Sequence, residues 1–373
     1  MNNLALADAL RDAVREQRFE RTADALLGGA PVGLHPSIDL AVAAFPPGGE
    51  PVFANVLFSR EYPLGLIADI GDEAGSVRNV RYVADPLDAA GRSIAWLPGS
   101  NWQAIDWQPL GADLMAKGSN RFVAPYPASV LKLMVLVAVA RLVDQNRTDW
   151  ATALNFEGRT RPVGDWAFDM IAISCNDSTS ALVALLHESG AIAGDEIHRL
   201  FESLGLSTLR LAGTQPGGGW RNADGAGVGR IQMTAWDTLR LLWLLDPDAP
   251  PAPWLPNDRP PLLGSSLAHV LYCLRGQRLD HVLSSRSLLG AEGWLDGIPG
   301  DVVFAHKTGN TENYAADAGI VQGVAPSRRH YLIALTSNLG SRYAPGGCIT
   351  TWRLPALGAA VDTWMKQKLF LEP

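Results

Sequence analysis

Ser129 and Lys132 head an apolar run that continues to Ala140. Residues three apart on a helix share a face. A lysine among apolar neighbours loses solvation of its charged form, which lowers its pKa and makes it a base near neutral pH. A serine hydroxyl one turn away is the proton donor that such a base would serve, and the hydroxyl so activated is a nucleophile. The chain has only five lysines, Lys117, Lys132, Lys307, Lys366 and Lys368, and otherwise uses arginine as its cation. Arginine does not release its proton in practice, so a lysine in this company points to a role that needs a mobile proton. The alternative reading has Lys132 snorkelling to the surface and Ser129 capping the helix. This stretch alone leaves both readings open.

The elements that must hold these residues are legible in outline. Pro125 and Pro127 precede the apolar run and no proline interrupts it, so a core helix is expected over 129–145. Residues 3–27 have the spacing of an amphipathic helix. From 36 to 124 the segments Ile38–Phe45, Val52–Phe58, Val80–Val83 and Ile94–Leu97 alternate with Gly/Pro/Asp turns, and Pro46-Pro47-Gly48-Gly49 marks a turn between two strands. Helical patterns follow at 164–173, 176–188, 195–204 and 234–245, the last with a capping start at Thr234 and Asp237. The glycine-rich Gly213–Gly229 and the seven-proline Pro247–Pro261 are loops, the second expected as an exposed excursion. Strand texture returns at Val302–His306, Ala318–Val321 and Tyr331–Thr336, and a last helix is expected over 350–369. This order predicts an α+β fold: an antiparallel sheet built from both chain ends, flanked by helices, with an all-helical subdomain inserted. The division is 1–118, an N-terminal helix and elaborated strand region partly contributing to the sheet, and 119–373, the catalytic domain. Within the latter, the helical part spans about 129–290 and the closing strands and helix about 300–370.

Two further stretches complete a pattern. Ile173-Ser174-Cys175-Asn176-Asp177-Ser178 lies between two apolar helical segments, and Phe304-Ala305-His306-Lys307-Thr308-Gly309-Asn310 ends an apolar strand. With Ser129-Val130-Leu131-Lys132 they give SxxK, SxN and KTG in order, each in the context it requires. This resembles the class A serine β-lactamases and penicillin-binding transpeptidases over residues 120–373. The resemblance implies Ser129 as the nucleophile that forms an acyl-enzyme and Lys132 as its base. It implies Ser174 as the relay to the leaving group and Asn176 as a holder of both a substrate amide and the lysine. Lys307 would set the positive potential, Thr308 would meet a substrate carboxylate or similar acceptor, and Gly309 would let the strand pass close to the ligand. The backbone N–H groups of Ser129 and Asn310 would form the oxyanion hole. Against these roles stand plainer ones: Ser174 and Asn176 as helix caps, and Lys307 and Thr308 as a solvated strand end. His306 is expected to be structural, and Cys175, where the family has aspartate or tyrosine, is given no role.

The chain departs from the family in three ways. The loop Leu211–Gly229 lacks the glutamate that activates the deacylating water and holds one carboxylate, Asp224. The lead before Ser129 is long. The N-terminus shows no secretory signal, which suggests a cytoplasmic protein. Composition narrows the rest. The chain of 373 residues is 47% hydrophobic with net charge −7 and no basic patch, which argues against nucleic acid. No apolar run is long enough to span a bilayer. The three cysteines, Cys175, Cys273 and Cys348, form no disulfide framework, and the seven histidines have no metal-ligand spacing, so neither metal nor cofactor is expected. The expected function is a serine acyl-enzyme hydrolase of a small ester, amide or lactam, with slow β-lactam turnover. The alternatives are an acyltransferase to an amine or alcohol and a non-catalytic binding module.

Overall fold

The computed structural model describes residues 2–86, 88, 93, 104–107, 118–191, 196–220, 231–255, 261–286, 297–344 and 349–371. In chain order, helix α1 (Asn3–Glu16) precedes strands β1 (Ile38–Ala44), β2 (Val52–Phe58), β3 (Leu66–Ile67), β4 (Val80–Val83) and β5 (Asn120–Val123). A 3-10 turn (Ala128–Leu131) leads into α2 (Lys132–Asp144), the hairpin β6 (Ala153–Phe156) and β7 (Arg159–Pro162), and helices α3 (Val163–Ala172), α4 (Asn176–Glu188) and α5 (Glu196–Ser203). The short strands β8 (Arg210–Leu211) and β9 (Ile231–Gln232) come next, then α6 (Ala235–Leu245) and α7 (Gly264–Arg275). Strands β10 (Val302–Asn310), β11 (Ala315–Gly323) and β12 (His330–Ser337) and helix α8 (Arg353–Trp364) close the chain.

The main sheet is antiparallel in the order β10-β11-β12-β1-β2-β3, so strands from both chain ends meet where β12 pairs with β1. Both faces of β1 are covered, so its residues are apolar rather than alternating except for Asp39, which is buried and accepts from Asn55 Nδ2 at 2.6 Å and Ala235 N–H at 2.9 Å. Leu40 and Val42 pack with Leu6, Leu10 and Val14 of α1 and Leu357 of α8. Ala41 and Ala43 face the other core, which holds α2 and α6. The β1–β2 turn follows from its residues: Gly49 N–H bonds Pro46 O at 3.0 Å, and Gly48 takes φ +69°, the left-handed position of a type II turn. β4 pairs with β5 in parallel, outside the main sheet.

Several expectations need correction. The first helix ends at Glu16 rather than near residue 27. Beyond Val14 the next inward positions would fall on Gln17 and Arg18, and Arg18 turns into the left-handed region to bring Phe19 into the core on a short 3-10 turn. The proline-rich segment is exposed at Pro247, Asp248, Pro251 and Pro253 as expected, but its described part is also tied to the body of the protein. Trp243 and Trp254 donate to Pro250 O and Leu204 O at 2.8 and 3.1 Å, and Arg240 lies over Trp254. The inserted block contains the hairpin β6–β7 and the pair β8–β9 in addition to its helices. Thr234 does cap α6, accepting from Asp237 N–H at 3.2 Å. The Ile94–Leu97 segment lies outside the described residues. No helix among the described residues is long and apolar enough to cross a membrane.

Candidate active site

Ser129 sits on the 3-10 turn before α2, half-buried. Ala128 beside it has φ +48°, a left-handed conformation that costs a non-glycine residue about 1–3 kcal/mol and tends to gather at functional sites. The turn lies against β10, the edge strand of the sheet. Gly309 is where they touch: a Cβ there would lie 2.7 Å from both Pro127 O and Ser129 N. A side chain at 309 would therefore push the Ser129 turn off the strand. Asn310 follows, its side-chain amide donating to Ile349 O at 2.9 Å.

Lys132 begins α2 and is fully buried, so it does not snorkel. Ser129 does not cap α2 either, because the N-cap position is Leu131. Lys132 Nζ donates to Ser174 O at 2.7 Å, to Ser174 Oγ at 3.1 Å and to Asn176 Oδ1 at 2.8 Å. Lys307, reaching in from β10, donates to the same Ser174 Oγ at 3.1 Å and to Thr308 O at 2.6 Å. Ser174 thus accepts from two lysines, which fills both lone pairs and leaves its own O–H free to donate. It holds this place with φ +56°, immediately before α4. Neither Ser174 nor Asn176 caps that helix, whose N-cap is Cys175 with no side-chain bond. Asn176 is exposed, so its side-chain N–H₂ can face a ligand.

The electrostatics follow from burial. Burial pulls Lys132 down to about 8, with Cys175 opposing. Lys307 is pushed well below its ordinary value, first by burial and then by the charge of Lys132, with Asp317 opposing. No described hydrogen-bond partner of either lysine is a carboxylate. A buried amine without a counter-ion is the form that can accept a proton near neutral pH. The solvated strand end is not what the structure has: Lys307 and Thr308 are both buried.

The structure also brings in two carboxylates that sequence reasoning missed, Asp280 and Asp317, on either side of His306. His306 is buried with Nδ1 2.7 Å from Asp317 Oδ1 and Nε2 2.9 Å from Asp280 Oδ1. Burial works against its charged form, but the two carboxylates outweigh it and its pKa lies above the ordinary value. A lone aspartate in the apolar strand Ala315–Gly323 was the available signal for Asp317. Among the described residues no group of His, Cys, Asp or Glu side chains is arranged to hold a metal ion. Cys175 is free and half-buried, Cys273 is buried with its thiol pushed up to about 12, and Cys348 lies outside the described residues.

The loop after α5 is described to Trp220. It packs on α4, where Gly218 passes so close that a Cβ would lie 2.5 Å from Ser180 O, and His187 meets Thr214 Oγ1 at 3.0 Å. Trp220 lies by the hydroxyl of Tyr126, three residues before Ser129. No carboxylate occurs between 211 and 220, and Asp224 lies outside the described residues.

No protein-family model matches the sequence, and no curated protein does. Solved structures match at low identity. The TLA-3 extended-spectrum β-lactamase superposes with a TM-score of 0.52 over 96% of this chain and 99% of its own, at 12% identity. A mutant of the class A β-lactamase of the last common ancestor of Gram-negative bacteria does so with a TM-score of 0.52 over 96% and 99%, at 14% identity. Likeness at this identity speaks of fold. The chain has the β-lactamase/transpeptidase-like fold.

Proposed function

We propose that the protein is a serine hydrolase that works through an acyl-enzyme on Ser129 and acts on a small ester, amide or lactam. The observation that carries this reading is convergence. Two buried lysines, Lys132 one turn after half-buried Ser129 and Lys307 from the edge strand, donate to one hydroxyl, that of Ser174, at 3.1 Å. A structural core has little use for two lysines without a counter-ion, whereas proton transfer does.

Lys132, as the neutral amine, takes the Ser129 proton as Oγ bonds to the substrate carbonyl carbon. The C=O pair moves to oxygen, for which the Ser129 and Asn310 N–H groups are the assigned donors. The intermediate reforms the carbonyl, the bond to the leaving group breaks, and that group takes the Ser174 proton. Lys132 then returns a proton to Ser174. Lys307 and Thr308 hold an acceptor on the substrate, and Asn176 places a substrate amide while its Oδ1 orients Lys132. Water activated by Lys132 releases the acid.

The carboxylate-free 211–220 segment supports slow release of a hindered β-lactam acyl group, because nothing there beyond Thr214, Gln215 and Trp220 can polarise water. The same feature favours acyl transfer to an amine as a second reading, since an amine needs less activation than water. An intact-mass time course tests the proposal with an activated ester, a penicillin and an added amine. The expected result is ester turnover and a persistent penicillin adduct. Fast penicillin turnover without an adduct would contradict slow release, and aminolysed product outrunning the acid would favour the transferase.

A further inference from the structure

Behind Lys307 lies a charged cluster that the acyl-enzyme scheme does not use. Both ring nitrogens of His306 face carboxylates, Asp317 at 2.7 Å and Asp280 at 2.9 Å. Two acceptor-only partners require a hydrogen on each nitrogen, and a ring with both is an imidazolium. The strands are shaped around it. Gly319 stands across from His306 in the β10–β11 register, and a Cβ there would lie 2.3 Å from His306 Cβ. Phe304 stacks flat on the ring, 3.9 Å between centroids at 16°. The second oxygen of Asp317 accepts Leu283 N–H at 3.1 Å, and Asp280 accepts Arg286 Nη2 at 3.3 Å. Asp317 stands opposite Thr308, close enough for its charge to act on Lys307.

We infer that His306 is a positioning residue for the site: an imidazolium clamped between Asp280 and Asp317, it cancels the carboxylate charge that would otherwise serve Lys307 as a counter-ion. The inference rests on the acyl-enzyme reading and adds to it a reason why a neutral lysine persists. Both lysines are bonded to Ser174 Oγ at 3.1 Å, so their nitrogens are no more than about 6 Å apart, where two buried ammonium charges disfavour each other. An uncancelled Asp317 would relieve that repulsion and fix a second proton in the site. The groups in play are few. Lys307 faces Lys132 from α2, Asp317 from β11 and His281 from the segment after α7. His306 faces Asp317, Asp280 and His281, with Arg286 offsetting Asp280. His281 is buried and neutral at pH 7, so it cannot replace the His306 charge.

The test is the pH dependence of ester kcat/KM in His306→Gln, which keeps a donor but loses the charge. The midpoint of the rising limb should move up by about one pH unit. The double variant H306Q/D317N, which removes the carboxylate as well, should bring it back toward the parent. A merely structural His306 would lower activity at every pH without moving the midpoint, and that result overturns the inference. Should His306→Gln not fold, ¹⁵N-histidine NMR of the unaltered protein decides instead. Both ring nitrogens of His306 should be protonated from pH 5 to 8, and a neutral tautomer in that range overturns the inference. If no ester turns over at all, the acyl-enzyme reading fails by itself. The titration of Lys307, followed by ¹³C NMR in the parent and in His306→Gln, still decides the role of His306 by the same upward shift or its absence.

Discussion

Ser174 is where the two buried lysines meet, and under the proposed mechanism its free O–H carries the proton to the leaving group. The roles around it make opposite demands on substitution. Ser129→Ala removes one hydroxyl from a half-buried turn and should leave the fold intact while abolishing covalent labelling and turnover, read by intact mass and thermal melt. Lys132→Arg should be nearly as damaging as Lys132→Ala, because arginine keeps the charge and cannot act as a base. Substantial activity in Lys132→Arg would mean that charge alone suffices. The sign of the pH dependence follows from burial. The charged form of Lys132 is the disfavoured one, so activity should be low below about pH 8, where Lys132 is protonated, and rise through that value as it becomes the neutral base. A kcat/KM profile that is flat from pH 6 to 9 would contradict Lys132 as the base.

At the level of elements, the site is a junction between the edge of β10 and the turn leading into α2. Gly309 is the residue that permits it, because its missing Cβ is the space that Pro127 O and Ser129 N occupy. Gly309→Ala should therefore separate the nucleophile from the strand and lower kcat/KM by about 100-fold, the scale of an ångström misplacement. Cooperative unfolding should persist, since the change sits at a sheet edge. Activity within a few-fold of the parent would show that the turn can yield. This junction was partly legible in sequence. Pro125 and Pro127 announced the helix start, and SxxK, SxN and KTG named the residues that meet. The Asp280–His306–Asp317 cluster was not legible, because it depends on the β10–β11 register and on a segment after α7 that has no periodic pattern of its own. The end of α1 was misplaced for a related reason: Phe19 is apolar and buried, but by a left-handed Arg18 and a 3-10 turn rather than by helical spacing.

At the level of the whole molecule, the order of strand, helix and strand textures was enough to foresee a sheet assembled from both chain ends. The pairing of β1 with β12 realises it, and the two cores on its faces explain why β1 is apolar but for Asp39. Leu40 belongs to the core opposite α2, so Leu40→Ala should cost about 2–5 kcal/mol in denaturant unfolding while leaving ester kcat/KM of the folded protein within a few-fold. A selective loss of activity without loss of stability would mean that the sheet transmits more to the site than this packing suggests. What sequence texture could not supply was the short hairpin β6–β7 and the packing of the proline-rich segment, which depends on the tryptophans Trp243 and Trp254 finding carbonyls in partner segments. All of these elements matter to function through one claim, that Ser129 carries the acyl group. Incubation with a fluorescent penicillin followed by peptide mass mapping tests it most directly. A single adduct on Ser129, absent from Ser129→Ala, is the predicted result; an adduct on another residue, or undiminished labelling of Ser129→Ala, would contradict it.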